Sequence, residues 1–226
     1  MDTTFWGPSG HQLLHLITYR FDQGDLPATP KDLRSFFRSV GHVLPCIYCR
    51  RSFQKYAKEQ PLRRVFRASQ SASRGASKTF RWYYRIHNRI NAKLRGQGYP
   101  VPPNPSFSSV LRQYEKNIRT CLVGRDFLYA VTYQFSSSLS ERRKQAYQTF
   151  FRKLRLLYPV ESIRNEYSRY LERHPVEDAM KGPLELTRWF HRFDQQIDAR
   201  VCSFRRRCNL LETYHVQTCA NRTCRK

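Results

Sequence analysis

Acidic residues are scarce in this sequence of 226 residues. Asp and Glu total 17, against 41 Lys and Arg, and the formal net charge is +24. Such a balance predicts attraction to polyanions, including nucleic acid, and to anionic surfaces. The excess is not a tail, since residues 1–105 carry 18 basic and 5 acidic side chains and the remainder carries 23 and 12. The distribution favours a generally basic surface over a dedicated binding arm.

Long hydrophobic runs are also missing. The longest candidate, LLHLI at 13–17, is far too short for a membrane span or the core of a signal peptide. We therefore expect a protein without a membrane span that is not secreted by the usual route. The 40% hydrophobic and 14% aromatic content is nevertheless enough for a real core, which excludes a disordered chain.

Strand-like alternation does not persist in any segment, and apolar residues instead recur three and four positions apart. This periodicity predicts an all-α protein. The helical segments are expected at 10–21, 31–43, 80–94, 107–118, 124–136, 140–157, 161–173 and 183–200, with a further helix following the motif at 46–49. The small, polar residues 67–78 read as a loop between helices.

The sharpest boundary is GQGYPVPPNPS at 96–106, where four prolines and two glycines forbid a continuous helix. This composition predicts an extended linker. We therefore divide the chain into a first domain at 1–98, an additional helical domain at 107–200 and a Cys-containing tail at 201–226.

Two of the seven cysteines form a CxxC motif, Cys46-Ile47-Tyr48-Cys49. A helix N-terminus and neighbouring arginines should lower a thiol pKa there, which is the environment of a redox pair. CxxC is also half of a zinc site, but no second pair lies nearby, so redox chemistry is favoured over structural zinc.

The remaining cysteines lie far from this motif. Cys219 and Cys224 sit near the C-terminus, where a disulfide would brace almost nothing, so a mobile dithiol that carries electrons makes better sense than two idle thiols. Cys202 and Cys208 could brace the last helix, pair with the tail or act as a relay. Cys121 is expected to be a buried free thiol.

The helix WYYRIHNRINAKL at 82–94 carries His87, Asn88 and Asn91 among aromatic and basic residues. Asn forms helices poorly, so two of them one turn apart suggest a face that binds something polar. A surface helix with tolerated Asn is the alternative. His11 and His15 could form a zinc dyad, but residue 12 is Gln and the metalloprotease motif fails.

Taken in order, FWGPSGHQLLHLITY, DLPATP, LPCIYC and WYYRIHNRINAKL resemble the flavin-linked sulfhydryl oxidases of the Erv/ALR family. The resemblance covers roughly residues 5–95. Its most specific part is PCxxC followed about 35 residues later by W-x4-HN-x2-N-x-KL. The WGP stretch is similar to that of the oxidases encoded by large DNA viruses.

The resemblance implies a helical bundle that holds FAD. Cys49 would lie against the flavin as the charge-transfer thiolate, Cys46 would be the interchange cysteine, and Cys219 and Cys224 would form a shuttle pair. The implied cofactor contacts are Trp6 and Gly7 at the entrance, His11, His15 and Tyr19 on the first helix, and Trp82, His87, Asn88, Asn91 and Lys93 on the later one.

The sequence also departs from the family pattern. His11 stands where the family usually has Trp, and the Cys expected three positions before the HN motif is Tyr84, with its partner missing as well. A stacking contact to FAD is therefore altered, and the bracing disulfide is absent. A degenerate member that has lost FAD is one reading of these changes.

The function predicted on this basis is FAD-dependent oxidation of protein dithiols, with oxygen reduced to hydrogen peroxide and no metal required. The implied assembly is a homodimer. The location is host cytoplasm or virion if the protein is viral, with the mitochondrial intermembrane space as the alternative. The rival function is a basic helical protein of the virion or of nucleic-acid binding, with zinc on the CxxC.

Overall fold

The computed structural model describes residues 3–67, 77–116 and 122–200, and every regular element in these ranges is a helix. The predicted all-α class is confirmed. The helices are α1 (Thr3–Gln23), α2 (Pro30–Val43), α3 (Ile47–Glu59), α4 (Leu62–Arg67), α5 (Lys78–Gly96), α6 (Phe107–Lys116), α7 (Arg125–Tyr133), α8 (Glu141–Leu157), α9 (Glu161–Arg173), α10 (Val176–Ala179) and α11 (Pro183–Arg200). The short helices α4 and α10 were not expected, because neither contains enough turns to show a period.

Helix α2 begins at a complete capping box. Asp32 N–H donates to Thr29 Oγ1 at 3.2 Å, and Thr29 N–H donates to Asp32 Oδ2 at 2.9 Å. Pro30 occupies the first helical turn, where its missing N–H costs nothing. These local signals fix where α2 starts, and its length then determines where the CxxC motif begins.

Helix α8 packs antiparallel against α2 and connects the two halves of the chain. The rings of Phe36 and Phe150 stack with centroids 5.2 Å apart, and Lys153 Nζ lies 2.6 Å from Asp32 Oδ1. Helix α7 also packs on α1. A Cβ added at Gly10 would come within 3.0 Å of the Phe127 ring, so the small residue permits this close approach.

One hydrophobic cluster contains buried residues from both halves, including Leu33 and Phe36 of α2 and Phe150 and Leu154 of α8. The division into domains at 98 and 107 stays a prediction about organisation, although the helices on each side share a core. No helix in the described ranges is long and apolar enough to cross a membrane.

Helix α5 packs on α1, and a side chain of α1 organises its first turn. Asp22 accepts from the backbone N–H groups of Thr79 (3.2 Å) and Phe80 (2.9 Å). Residue Ser77, at the N-cap position, makes no side-chain cap of its own. A carboxylate from another helix therefore supplies the cap that the local sequence lacks.

The predicted linker is confirmed as non-helical from residue 97 to 106, and side chains of α5 hold it in place. Tyr84 Oη donates to the Pro105 carbonyl at 2.7 Å, and Arg95 donates to the Pro102 carbonyl at 2.8 Å. These bonds tie the linker to α5 next to Tyr84, the position where the family resemblance expects a cysteine. Residues 68–76, in the predicted loop, lie outside the described ranges.

Candidate redox and cofactor site

The CxxC motif lies at the junction between α2 and α3. Cys46 is the N-cap residue of α3 in an extended conformation, and Cys49 lies in the first turn. Both are free thiols of intermediate exposure. Arg50 donates from one Nη atom to the carbonyls of Leu44 (2.6 Å) and Pro45 (3.3 Å), which fixes the turn that leads into Cys46.

The pKa values of the two thiols are shifted in opposite directions. The pKa of Cys46 is lowered to about 5 because the Cys49 thiol and the backbone N–H groups of Cys49 and Tyr48 hydrogen-bond to its sulfur. The pKa of Cys49 is raised, because it donates to Cys46 and is itself largely buried. The first negative charge of the reduced pair therefore resides on Cys46, at the positive end of the α3 dipole.

Helix α5 reaches the redox pair through Lys93. Its ammonium donates to Ser52 Oγ at 2.7 Å, one turn beyond Cys49 on α3. Lys93 and Arg50 both favour the thiolate of Cys49, although their effect on its pKa is smaller than those of burial and the Cys46 sulfur. The contact brings the CxxC motif and the predicted cofactor helix side by side.

A cluster of aromatic and imidazole rings joins α1 to α5. The His11 and His87 rings stack 3.6 Å apart and only 5° from parallel, and His15 Nε2 lies 3.0 Å from His87 Nδ1. His11 Nδ1 is also hydrogen-bonded to Tyr83 Oη at 2.9 Å. Three predicted site residues from distant parts of the sequence are therefore brought into direct contact.

These histidines are held in their neutral forms. Burial lowers the pKa of His87 to about 4. Burial also places the pKa values of His11 and His15 well below their ordinary value, and the neighbouring His87 lowers both further. A protonated ring would lie buried against other imidazoles, so neutral rings are required at physiological pH.

The remaining residues predicted on α5 occupy different environments. Asn91 Nδ2 donates to Asn104 Oδ1 at 3.0 Å. Asn88 is partly exposed, and its side chain forms no hydrogen bond within the described ranges. Trp82 is only 4% exposed, and its indole N–H donates to the Gln60 carbonyl at 2.6 Å. Its ring therefore belongs to the core as the structure stands.

The N-terminal candidates lie mainly in the interior. Trp6 is 5% exposed and packs on Phe127 of α7, with ring centroids 5.9 Å apart, so the structure does not place it at an open entrance. Gly7 is buried, yet a Cβ added there would meet no atom within 4 Å. Tyr19 is half-buried against Phe80.

The residues present fit a nucleotide cofactor in their chemistry. His15 Nδ1 is a buried polar atom with no hydrogen-bond partner among the described residues, and Trp6 Nε1 is another. An imidazole nitrogen and the Asn88 amide can each meet a donor or an acceptor, and Lys93 can face a phosphate. By contrast, no group of three or more candidate metal ligands is found in the described ranges.

Comparison with known proteins supports the family resemblance carried by the sequence motifs. Residues 9–108 match the model of the Erv1 / Alr family. This part of the chain is therefore similar to the Erv1/Alr family. The mitochondrial FAD-linked sulfhydryl oxidase ERV1 of Saccharomyces cerevisiae is 32% identical over 94 residues. That alignment spans 39% of this chain and 42% of the yeast protein, less than half of each. No solved structure matches the chain.

Two residues beyond the Erv1/Alr match contact its site and were missed by sequence reasoning. Tyr114 on α6 lies 5.2 Å from the His15 ring and 5.4 Å from Phe80, and burial raises its pKa. Arg143 on α8 is close enough to Arg50 to lower the pKa of that guanidinium. The amphipathic pattern of each helix indicates a buried face but not the helix that it covers.

The Cys219 and Cys224 pair, together with Cys121, Cys202 and Cys208, lies outside the described residues. Their roles stay predictions.

The neutral histidine cluster should make the fold sensitive to acid. The pKa of His87 falls from about 6.5 unfolded to about 4 folded, so its stabilising contribution is present above the unfolded value and is lost as the pH falls toward 4. Between pH 7 and pH 5 this loss amounts to about 2 kcal/mol. Urea unfolding of His87→Gln should show a correspondingly weaker pH dependence, whereas the exposed His174→Gln should match the unaltered protein. An equal slope in all three proteins would contradict the assignment.

The asymmetric acidity of the cysteine pair predicts selective alkylation of the reduced protein. Iodoacetamide should modify Cys46 with a midpoint near pH 5 and leave Cys49 largely unmodified at neutral pH, because Cys46 holds the thiolate. Mass spectrometry of digested samples would locate the label. In Cys49→Ala the loss of the thiol donor should raise the midpoint. Preferential labelling of Cys49 in the unaltered protein would refute the ordering.

Proposed function

We propose that this protein is a FAD-dependent thiol oxidase that forms disulfides in protein substrates and reduces oxygen to hydrogen peroxide. The observation that carries the proposal is the Lys93–Ser52 contact, which sets the CxxC pair beside the helix bearing His87, Asn88 and Asn91. The match of residues 9–108 to the Erv1/Alr family model supports it. The name of the yeast relative supports FAD as the cofactor and favours the mitochondrial location over the viral one.

In the oxidised enzyme, Cys46 and Cys49 form a disulfide. A substrate thiolate attacks the Cys46 sulfur, and the Cys46–Cys49 bond breaks with its electron pair on Cys49. Arg50 and Lys93 face this sulfur and stabilise its charge. The second substrate thiolate then attacks the substrate sulfur of the mixed disulfide and releases Cys46. The substrate leaves as a disulfide, two thiol protons are given up, and two electrons remain on the enzyme pair.

The acidity of Cys46 favours the second exchange. A thiol whose pKa lies near 5 is a good leaving group, and the backbone N–H groups of Tyr48 and Cys49 hold its thiolate after release. Stabilising the reduced pair also makes the disulfide a stronger oxidant of substrate thiols. The turn held by Arg50 therefore contributes to both direction and rate.

FAD, when bound, would accept the two electrons from Cys49 and pass them to oxygen. His15 and Asn88 are the polar groups that would hold the nucleotide, together with Asn91 if its amide exchanges Asn104 for the cofactor. Lys93 would meet the pyrophosphate or the reduced sulfur of Cys49. The neutral His11–His87 stack provides a flat, uncharged wall between α1 and α5. A homodimer and binding to nucleic acid stay predictions from family likeness and charge.

The purified protein should carry a flavin absorption band that dithiothreitol bleaches and air restores. Cys46→Ser and Cys49→Ser should each abolish oxygen consumption on any dithiol while the protein stays folded by circular dichroism, because each removes one half of the exchange. Metal analysis of the same samples distinguishes the rival function. A colourless protein with stoichiometric zinc would overturn the oxidase and make the two cysteines structural ligands.

Cys219→Ser tests the tail pair as an electron shuttle. The variant should oxidise dithiothreitol at the unaltered rate, because a small dithiol reaches Cys46 directly, but it should turn over reduced protein substrates more slowly. Cys121→Ser serves as the matched control, with both activities unchanged. Equal losses on small and protein dithiols in Cys219→Ser would exclude the shuttle.

A further inference from the structure

Four arginines from three helices lie near His42, four residues before Cys46. Arg38 lies on α2, Arg50 on α3, and Arg142 and Arg143 on α8. We call this group the arginine rim. The rim lies beside Cys46 but is built partly from a helix outside the Erv1/Alr match, so the family match does not account for it.

The register of α8 on α2 places Arg142 and Arg143 at this point. Lys153 pairs with Asp32 at 2.6 Å, and Phe150 stacks on Phe36 at 5.2 Å. Helix α8 therefore runs antiparallel to α2, and residues earlier in α8 lie opposite residues later in α2. Ten residues before Lys153 correspond to about 15 Å along the helix. Arg143 therefore lies opposite the C-terminal turn of α2, at His42, only four residues before Cys46.

The pKa of His42 is further evidence that these arginines lie close to the end of α2. Its pKa is lowered first by partial burial and then by the positive charges of Arg142, Arg143, Arg38 and Arg50. The pKa of Arg50 is lowered by burial and by Arg143. All four guanidinium groups therefore lie close enough to the end of α2 for their charges to act on His42.

Protein carboxylates do not neutralise the rim. Within the described ranges, none of its four arginines forms an ion pair, and the nearby Glu141 binds Lys144 instead. Arg143 Nε is buried without a hydrogen-bond partner. Arg50 donates to the carbonyls of Leu44 and Pro45, neither of which carries a formal charge. Repulsion among clustered like charges is costly, and an anionic partner would relieve it.

Apolar side chains are exposed at the same place. Ile47 and Tyr48, the two residues between the cysteines, are 47% and 44% exposed, whereas most large hydrophobic side chains in the described ranges are buried. An exposed aliphatic and aromatic pair close in sequence to these positive charges has the composition of a recognition surface with an apolar centre and a polar rim.

We infer that Ile47, Tyr48 and the arginine rim form a docking surface for acidic dithiol segments of substrate proteins. The inference rests on the proposed oxidase function and specifies its substrate class. An apolar residue beside the substrate cysteines would pack on Ile47 and Tyr48, and flanking Asp or Glu side chains would face the rim. Through Arg142 and Arg143, helix α8 thereby contributes to the substrate specificity of the Cys46–Cys49 pair.

Charge complementarity favours this occupant over the C-terminal segment of the same chain. Residues 201–226 contain six Lys and Arg and one Glu, so this segment carries the same sign of charge as the rim and gains no electrostatic attraction to it. An acidic partner is attracted at low ionic strength. Added salt should therefore slow the oxidation of acidic segments and assist any approach of the basic segment.

Synthetic peptides with one common dithiol core, flanked by Glu, Gln or Lys, test the docking surface. Oxygen consumption by the full-length protein at low salt should give a kcat/KM about 10-fold higher for the Glu peptide than for the Lys peptide, and this ratio should approach unity at about 0.5 M salt. Arg142→Gln/Arg143→Gln should reduce the ratio at least about 3-fold. The control Lys181→Gln/Arg188→Gln removes the same charge from exposed positions around α11 and should keep the ratio unchanged.

Fluorescence anisotropy with the corresponding Ser-substituted peptides measures docking without turnover, and it should show the same order of affinities. Equal affinities for Glu and Lys peptides, or an unchanged preference in Arg142→Gln/Arg143→Gln, would overturn the docking surface. A preference lost in Cys219→Ser/Cys224→Ser would assign it to the tail and overturn the proposal as well. Oxidation of dithiothreitol in the same samples separates the oxidase proposal from the docking proposal. If dithiothreitol is not oxidised, the oxidase function is refuted. If it is oxidised but the peptides are not distinguished, only the docking surface is refuted.

Discussion

The antiparallel contact between α2 and α8 is the constraint on which the rest of this structure depends. Helix α2 starts at a capping box and ends just before Cys46, so anything that fixes α2 also fixes the redox turn. Lys153 lowers the pKa of Asp32 to about 2, which keeps the ion pair formed at neutral pH while Asp32 also caps the helix. One carboxylate therefore couples the start of α2 to α8, and the stacked Phe36 and Phe150 rings continue the contact through the core.

Helix α5 is the second organising element, because it contacts both parts of the candidate site. His87 stacks on His11 of α1, and Lys93 bonds Ser52 of α3 about one and a half turns farther along. The imidazole cluster is neutral, whereas the cysteine region carries a thiolate held by backbone N–H groups and cations. The two environments suit different tasks: an uncharged wall can pack on a flat ring, and the polarised turn can exchange electrons through sulfur.

The effect of the basic charge depends on where the individual arginines lie in the fold. A net charge of +24 implies attraction to anions in general, yet most of the arginines in the described ranges are separate from the redox pair. Arg38, Arg50, Arg142 and Arg143 differ because the packing of α8 and α3 on α2 brings them near His42, shortly before Cys46 and the exposed Ile47 and Tyr48. The second half of the chain thus lies close to the site through α8, although the CxxC and HN-x2-N motifs both lie in the first half.

The helical class, the non-helical stretch at 97–106 and the presence of the CxxC and HN-x2-N motifs could all be predicted from the amino-acid sequence. These features are local: apolar spacing sets the helices, proline forbids them, and a CxxC followed by HN-x2-N is read directly from the chain. Tertiary structure alone decided that His11 stacks on His87, that Tyr114 covers His15, that Asp22 caps α5 and that Arg143 approaches the turn before Cys46. Periodicity reveals which face of a helix is buried but carries no information about the helix that buries it. The pKa values of the site follow from those long-range contacts, and the sequence anticipated only the lowered thiol pKa expected at a helix N-terminus.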